Sequence, residues 1–148
     1  MKIIFLDIDG VLSSIDYMAE GIHIHPDKIK HVTRIVKETD AKIVISSTWR
    51  FNHGVKEFNE WFYRLGLRGY NTIIGMTPDL PGIRGAEIET WIKNNDPRHE
   101  IESYVIIDDD SDFLDYQLPY HVKTQTHYGI TIMEADKAID ILGKDKNK

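Results

Sequence analysis

The sequence predicts an α/β fold: a Rossmann-like three-layer sandwich built on a mostly parallel sheet. Two observations carry this expectation. Apolar runs of strand length alternate with stretches of helical period along the whole chain, the pattern of strand–helix–strand units. Three of those runs also stop at polar clusters: Asp7 with Asp9, Ser46 with Ser47, and the acidic stretch 108–112. Right-handed crossovers between parallel strands bring such ends to one edge of the sheet, where ligands bind in open α/β folds.

Each element has its own signal. Met1-Lys2-Ile3-Ile4-Phe5-Leu6 is nearly continuous in apolar residues, as expected of a strand buried on both faces. Asp7 ends it and Asp9-Gly10 breaks it; the segment 13–25 that follows has no clear period. Pro26 suits the first turn of a helix, Asp27 complements the positive end of its dipole, and Ile29, Val32 and Val36 share one face. Ala41-Lys42-Ile43-Val44-Ile45 is the second strand. Val55, Phe58, Phe62 and Leu65 form a helical stripe that Gly66 terminates. Thr72-Ile73-Ile74 is a short strand, and Pro78, Pro81 and Gly82 mark a loop. Helical spacing resumes over 85–93 with Ile88, Trp91 and Ile92. Ser103-Tyr104-Val105-Ile106-Ile107 is a further strand, and His121-Val122-Lys123-Thr124 a weak edge strand. Thr131 and Glu134 form a capping box for a last helix with Ala135, Ala138, Ile139 and Leu142 inward. Residues 1–143 are expected to form one domain and 144–148 a charged tail.

Composition narrows the function classes. The 148 residues include no cysteine, which removes disulfides, thiolate catalysis and Cys-ligated zinc. No apolar run approaches the roughly 18 residues of a membrane span. Asp7 and Asp9 interrupt any secretion-signal pattern, so a cytoplasmic location is expected. A formal charge of −6 argues against a stable complex with nucleic acid over a broad basic surface. It leaves open a local site for one phosphate at a nucleic-acid end.

The clustered residues suit phosphoryl transfer. A phosphomonoester repels a carboxylate nucleophile, so a cation must neutralise both, and magnesium prefers such oxygen ligands. Asp7 and a member of the 108–112 cluster can supply that cage. Asp7 can attack phosphorus to give an aspartyl-phosphate; Asp9 can protonate the leaving oxygen and then deprotonate water. Ser46, or Ser47 by a one-residue slip, offers a hydroxyl to a phosphate oxygen. Arg84 at the head of its helix is the leading cation for the equatorial oxygens, with Arg50, Arg68 and Lys93 as competitors. Trp49 and Arg50, beside the second strand end, are candidate substrate contacts. His23 and His25 read as exposed loop histidines, and Trp61 and Trp91 as core. A calcium-loop reading from Asp108 fails, because its glycine and glutamate positions fall on Phe113 and Pro119.

These residues resemble a known family. Asp7-Ile8-Asp9-Gly10-Val11-Leu12 is similar to motif I of the haloacid dehalogenase-like (HAD) phosphohydrolases, an apolar strand followed by D-x-D-G. Ile43-Val44-Ile45-Ser46 resembles motif II, Arg84 the basic residue of motif III, and Val105-Ile106-Ile107-Asp108-Asp109 motif IV. The resemblance implies that Asp7 is nucleophile and metal ligand, and that Asp9 is general acid/base and gives magnesium its backbone carbonyl. Asp108 would be the principal acidic ligand, assisted by Asp109 or Asp112. The second motif I aspartate points to phosphatase rather than dehalogenase chemistry. The intervals around motif II are too short for a large cap.

Finer wording in Ser46-Ser47-Thr48-Trp49-Arg50, Arg84-Gly85-x-Glu87-Ile88 and Asp108-Asp109-Asp110-Ser111-Asp112 resembles phosphatase domains of RNA-repair and polynucleotide kinase–phosphatase proteins. The expected activity is therefore magnesium-dependent phosphomonoester hydrolysis on nucleotide or nucleic-acid terminal phosphates. The alternatives are a broad sugar-phosphate or metabolite phosphatase and a non-catalytic metal- or phosphate-binding regulatory domain.

Overall fold

The computed structural model describes residues 1–67, 69 and 71–145. Five parallel strands lie in the order β3-β2-β1-β4-β5: β1 (Lys2–Leu6), β2 (Lys42–Ile45), β3 (Ile73–Met76), β4 (Ser103–Asp108) and β5 (His121–Lys123). Between them run α1 (Ile15–Ala19), α2 (Pro26–Thr39), α3 (Val55–Arg64), α4 (Arg84–His99) and α5 (Ile132–Leu142). Two 3-10 turns, Thr48–Phe51 and Asp115–Tyr120, complete the order.

Strand pleat divides the core into two. Ile4, Leu6, Ile43, Ile45, Val105 and Ile107 face the apolar sides of α2, α3 and α5, among them Ile29, Val32, Phe58, Phe62, Ala138 and Ile139. The alternate residues Ile3, Phe5, Val44 and Ile106 face α4 through Ile88 and Trp91. Phe5 meets the Trp91 ring edge-on at 5.6 Å between centroids. Both faces of the sheet are therefore covered, which is why its strands read as unbroken apolar runs.

The chain differs from the sequence expectation in two elements. The short α1 lies inside the segment read as irregular; Ser14 starts it by accepting from the Tyr17 N–H. Five residues are too few for a helical period to show. α4 also continues past 93 to His99. Pro97 falls in its last turn, where a missing N–H removes only one ladder bond. Glu100, in the left-handed region at φ 49°, closes the helix by donating to Asp96 O. Of the expected tail, Asp145 N donates to Glu38 O at 2.8 Å; positions 146–148 lie outside the described residues.

Strand order decides where chemistry can occur. β1 is central, and the chain steps from it to β2 and β3 on one side and to β4 and β5 on the other. Register pairs Leu6 with both Ile45 and Ile107. The ladder continues one residue further: Ser46 N donates to Leu6 O, Asp7 N to Ile107 O, Thr77 N to Ile45 O and Thr124 N to Asp108 O. A row of polar side chains thus crosses the carboxyl ends of all five strands, at the switch point favoured for ligands. Only α1 and α2 separate β1 from β2, and only a 3-10 turn and α3 separate β2 from β3. Among the described residues no inserted cap occupies either interval, and no helix is long and apolar enough to cross a membrane.

Candidate active site

The chain turns immediately after β1. Val11 N and Leu12 N both donate to Ile8 O, and Thr124 Oγ1 donates to Gly10 O at 2.7 Å. Gly10 sits at φ +81°, and a Cβ there would lie 2.1 Å from Asp109 Oδ2. Only glycine gives both this backbone conformation and room for the Asp109 carboxylate. Asp7, Asp108 and Asp109 each present an oxygen within 4.8 Å of the others. Thr126 Oγ1 donates to Asp109 Oδ2 at 2.7 Å, orienting it.

Arg84 comes to this cluster from the first position of α4. Its N–H donates to Asp112 Oδ2 at 3.1 Å, and Gly85 N donates to Asp112 O. Gly85 permits the approach: a Cβ there would lie 2.4 Å from Gln117 Oε1 and 2.8 Å from Leu114 N. Arg84 Nη1 then reaches Asp108 Oδ2 at 2.6 Å and Asp7 Oδ2 at 3.3 Å. Burial works against the guanidinium's charge, but the Asp108 and Asp7 carboxylates overcome it and raise its pKa.

One arginine does not balance three carboxylates. Asp7 is 5 % exposed and Asp108 fully buried. Burial first, then repulsion by Asp108, pushes Asp7 from its ordinary 3.8 to about 8, against the pull of Arg84. Burial also raises Asp108, opposed by Arg84 and the Asp110 N–H. A compact set of hard oxygen donors with surplus negative charge is what a divalent cation requires, so these residues fit one.

The two aspartates of the first turn have opposite surroundings. Asp7 is enclosed, whereas the Asp9 side chain is 56 % exposed. Asp9 Oδ2 accepts from the Trp49 indole N–H at 3.2 Å, and Oδ1 lies 3.4 Å from His23 Nδ1. His23, read from sequence as a bland loop residue, therefore touches the site. Its alternation with His25 is metal-like in sequence, but without a third ligand it reads as an exposed loop residue, and the contact with Asp9 is made only when the 13–25 segment folds back. His25 instead caps α2, its Nδ1 accepting from Asp27 N, and stacks on Tyr17.

The remaining candidates separate by how their polar groups are satisfied. Ser47 Oγ caps the 3-10 turn by accepting from Trp49 N. Ser46 Oγ is buried with no partner among the described residues, leaving it for a ligand. Thr77 Oγ1, not singled out from sequence, is in the same condition one strand away. Asp112 caps α4 with Oδ2 and stands outside the three-carboxylate cluster, while its Oδ1 is buried without a partner among the described residues. Lys93 pairs with Glu89 on the outer face of α4. Arg68 lies outside the described residues.

Arg50 is buried, and its guanidinium is held by protein groups. Its guanidinium donates to Thr77 O and Ser47 O and forms a buried ion pair with Glu87 at 2.7 Å. Glu87 in turn accepts from Leu80 N, so the pair ties the 3-10 turn to α4 and the 77–80 loop. Sequence adjacency to the strand end suggested contact, but the side chain turns inward to satisfy carbonyls there. Arg50→Ala is expected to cost about 3–5 kcal/mol, since it leaves Glu87 buried without its cation. Thermal unfolding would show the loss; kcat of the folded fraction at low temperature should be nearly unchanged.

Gly10→Ala should act on the cluster itself. Displacing Asp109 is expected to weaken divalent-cation affinity about 10–100-fold, measured by calorimetric titration. An unchanged affinity would remove Asp109 from the cation set.

A carboxylate just past the central strand is thus joined through an arginine to the acid that ends the neighbouring strand. Residues 3–135 match the family model described as the HAD domain in Swiss Army Knife RNA repair proteins. That span is most of the chain, and the chain belongs to this family, within a superfamily of hydrolases and phosphatases. No curated protein and no solved structure matches it.

Proposed function

We propose that this protein is a magnesium-dependent phosphomonoester hydrolase that works through an aspartyl-phosphate on Asp7. The observation that carries this reading is the contrast between Asp7 and Asp9. One carboxylate is enclosed beside Arg84 and Asp108, and the other stands at the mouth between Trp49 and His23. Two carboxylates held in different environments are how one turn can provide both a nucleophile and a proton carrier.

Asp7, Asp108 and Asp109, with the Asp9 backbone carbonyl, would hold magnesium, and Asp112 would support the cluster from the head of α4. Bound there, the ion would offset the charge shared by the carboxylates and the phosphoryl group. Asp7 attacks phosphorus and the bond to the leaving oxygen breaks; Asp9 gives that oxygen its proton. Asp9 then takes a proton from water, whose oxygen attacks the acyl phosphate and frees inorganic phosphate and Asp7. Arg84 and the Ser46 hydroxyl hold phosphoryl oxygens, charge-assisted in the case of Arg84.

The substrate we favour is a terminal phosphate of a nucleotide or nucleic acid. The matched family is described from RNA repair proteins, and among the described residues no inserted cap encloses the strand ends. With a formal charge of −6, recognition would be local to the phosphate and its nearest groups. A panel of 3′- and 5′-phosphorylated oligonucleotides, mononucleotides and sugar phosphates tests this. The expected result is a higher kcat/KM on nucleotide phosphates, dependent on magnesium. Equal or faster turnover of sugar phosphates would move the substrate to small metabolites, and no turnover of any would favour a binding module.

A further inference from the structure

At Trp49, which donates to Asp9, the surface opens into an apolar groove of about 290 Å³, walled by Ile24, Trp49, Trp61 and Leu65 with the exposed Arg64 also lining it. Trp61 was expected in the core from its helical spacing, and it does pack on the core, yet it is only half-buried. Trp61, Arg64 and Leu65 lie three and four residues apart at the end of α3, so they share a face.

Two separate segments join the groove to the reacting centre. Trp49 donates its indole N–H to Asp9 and forms a wall of the groove with the same ring system. His23 lies against the other Asp9 oxygen, and the next residue, Ile24, is another wall. The aromatic walls are mutually braced. Trp49 meets Trp61 edge-on at 6.2 Å, and His53 packs against Trp61 at 4.8 Å. Rings fixed in this way present apolar faces without losing rotamer freedom on binding.

The lining selects among ligands. A sugar requires several hydrogen-bonding groups, whereas this lining offers the Arg64 guanidinium and the Trp61 indole N–H, that of Trp49 being already given to Asp9. The volume lies at the small end of ligand pockets, suited to one planar ring system. Flat indoles stack on any base without reading its sequence. The exposed Arg64 cation complements an anionic chain that enters beside it. We infer that the groove is a base-stacking subsite, holding the nucleobase adjacent to the terminal phosphate on which Asp7 and Asp9 act. The inference rests on the phosphatase reading above and specifies its substrate.

The test uses two oligonucleotides with the same terminal phosphate, one with a normal terminal nucleotide and one abasic there. The full chain is assayed with magnesium as wild type, Trp61→Ala and Trp61→Phe. Wild type should prefer the base-bearing substrate by about 5- to 150-fold in kcat/KM, the range that stacking one base provides. Trp61→Ala should erase that preference through KM, bringing the base-bearing substrate down to the abasic rate, while Trp61→Phe retains most of it. Equal wild-type rates on the two substrates, or an equal loss on both in Trp61→Ala, would overturn the subsite.

Binding gives a readout independent of turnover and of any Trp61 variant that fails to fold. Adenosine monophosphate should quench the tryptophan fluorescence of Asp7→Asn protein saturably, and ribose phosphate should not; absence of quenching overturns the subsite. Self-association that Trp61→Ala abolishes would assign the groove to a second copy of this chain. Lack of Asp7-dependent hydrolysis of either oligonucleotide would defeat the phosphatase reading alone, with quenching still deciding the groove.

Discussion

Asp7→Asn is expected to abolish phosphate-ester hydrolysis, by about 10⁴-fold or more, while leaving the protein at least as stable without a divalent cation. The first effect follows from removing the carboxylate enclosed beside both Arg84 and Asp108. The second follows from electrostatics. In the fold Asp7 is pushed to about 8, by burial and then by Asp108, from an ordinary 3.8. The folded chain therefore binds an extra proton across that window, and stability falls as pH rises through it. The contribution is fully present below about 3.8 and gone above about 8. Asparagine removes the ionisation, so the cation-free variant should lose less stability than wild type between pH 5 and 9. Bound magnesium should flatten the wild-type slope as well. Thermal unfolding across this range in chelator and in magnesium, beside initial rates, measures both effects. Retained magnesium-dependent activity in Asp7→Asn would refute the covalent mechanism.

Arg84→Ala should be the most damaging change to the fold that leaves the sheet and its packing unaltered. Arg84 Nη1 is shared by Asp108 and Asp7, both almost wholly enclosed. Removing it leaves two carboxylates facing each other with Asp109 nearby. Loss of one partner from a buried ionic cluster costs about 3–5 kcal/mol. Magnesium should return part of that stability, because it replaces the missing positive charge, but should not return activity if Arg84 also holds phosphoryl oxygens. Arg84→Lys should preserve more of both, since one nitrogen makes the two contacts. Unfolding midpoints in denaturant, taken with and without magnesium, decide the matter. A midpoint shift that magnesium does not reduce would mean that the cation and the arginine do not act on the same charges.

The parallel sheet was legible because its determinants are local. Buried strands such as Ile3 to Leu6 and Val105 to Ile107 are continuous apolar runs, and the breaks after them use Asp, Ser and Gly. Placement of Asp7, Ser46 and Asp108 on one edge then follows from strand direction and crossover hand. Choices within the site were not legible in the same way. Ser46 and Ser47 are neighbours of one type, yet only Ser47 has a backbone N–H to cap. Arg50 and Arg84 both follow loops near strand ends, yet carbonyls and Glu87 draw Arg50 inward while Gly85 lets Arg84 approach Asp108.

By itself, then, the sequence determined the α/β architecture and which residues would reach the carboxyl edge of the sheet, through patterns spanning a few neighbouring positions. Tertiary structure alone decided that Arg84 bridges the carboxylates, that Asp109 rather than Asp112 joins them, and that His23 and Trp49, a wall of the Trp61 groove, meet Asp9. Each of those outcomes depends on which donor or apolar face a distant segment has already satisfied, and that is settled only when the segments pack.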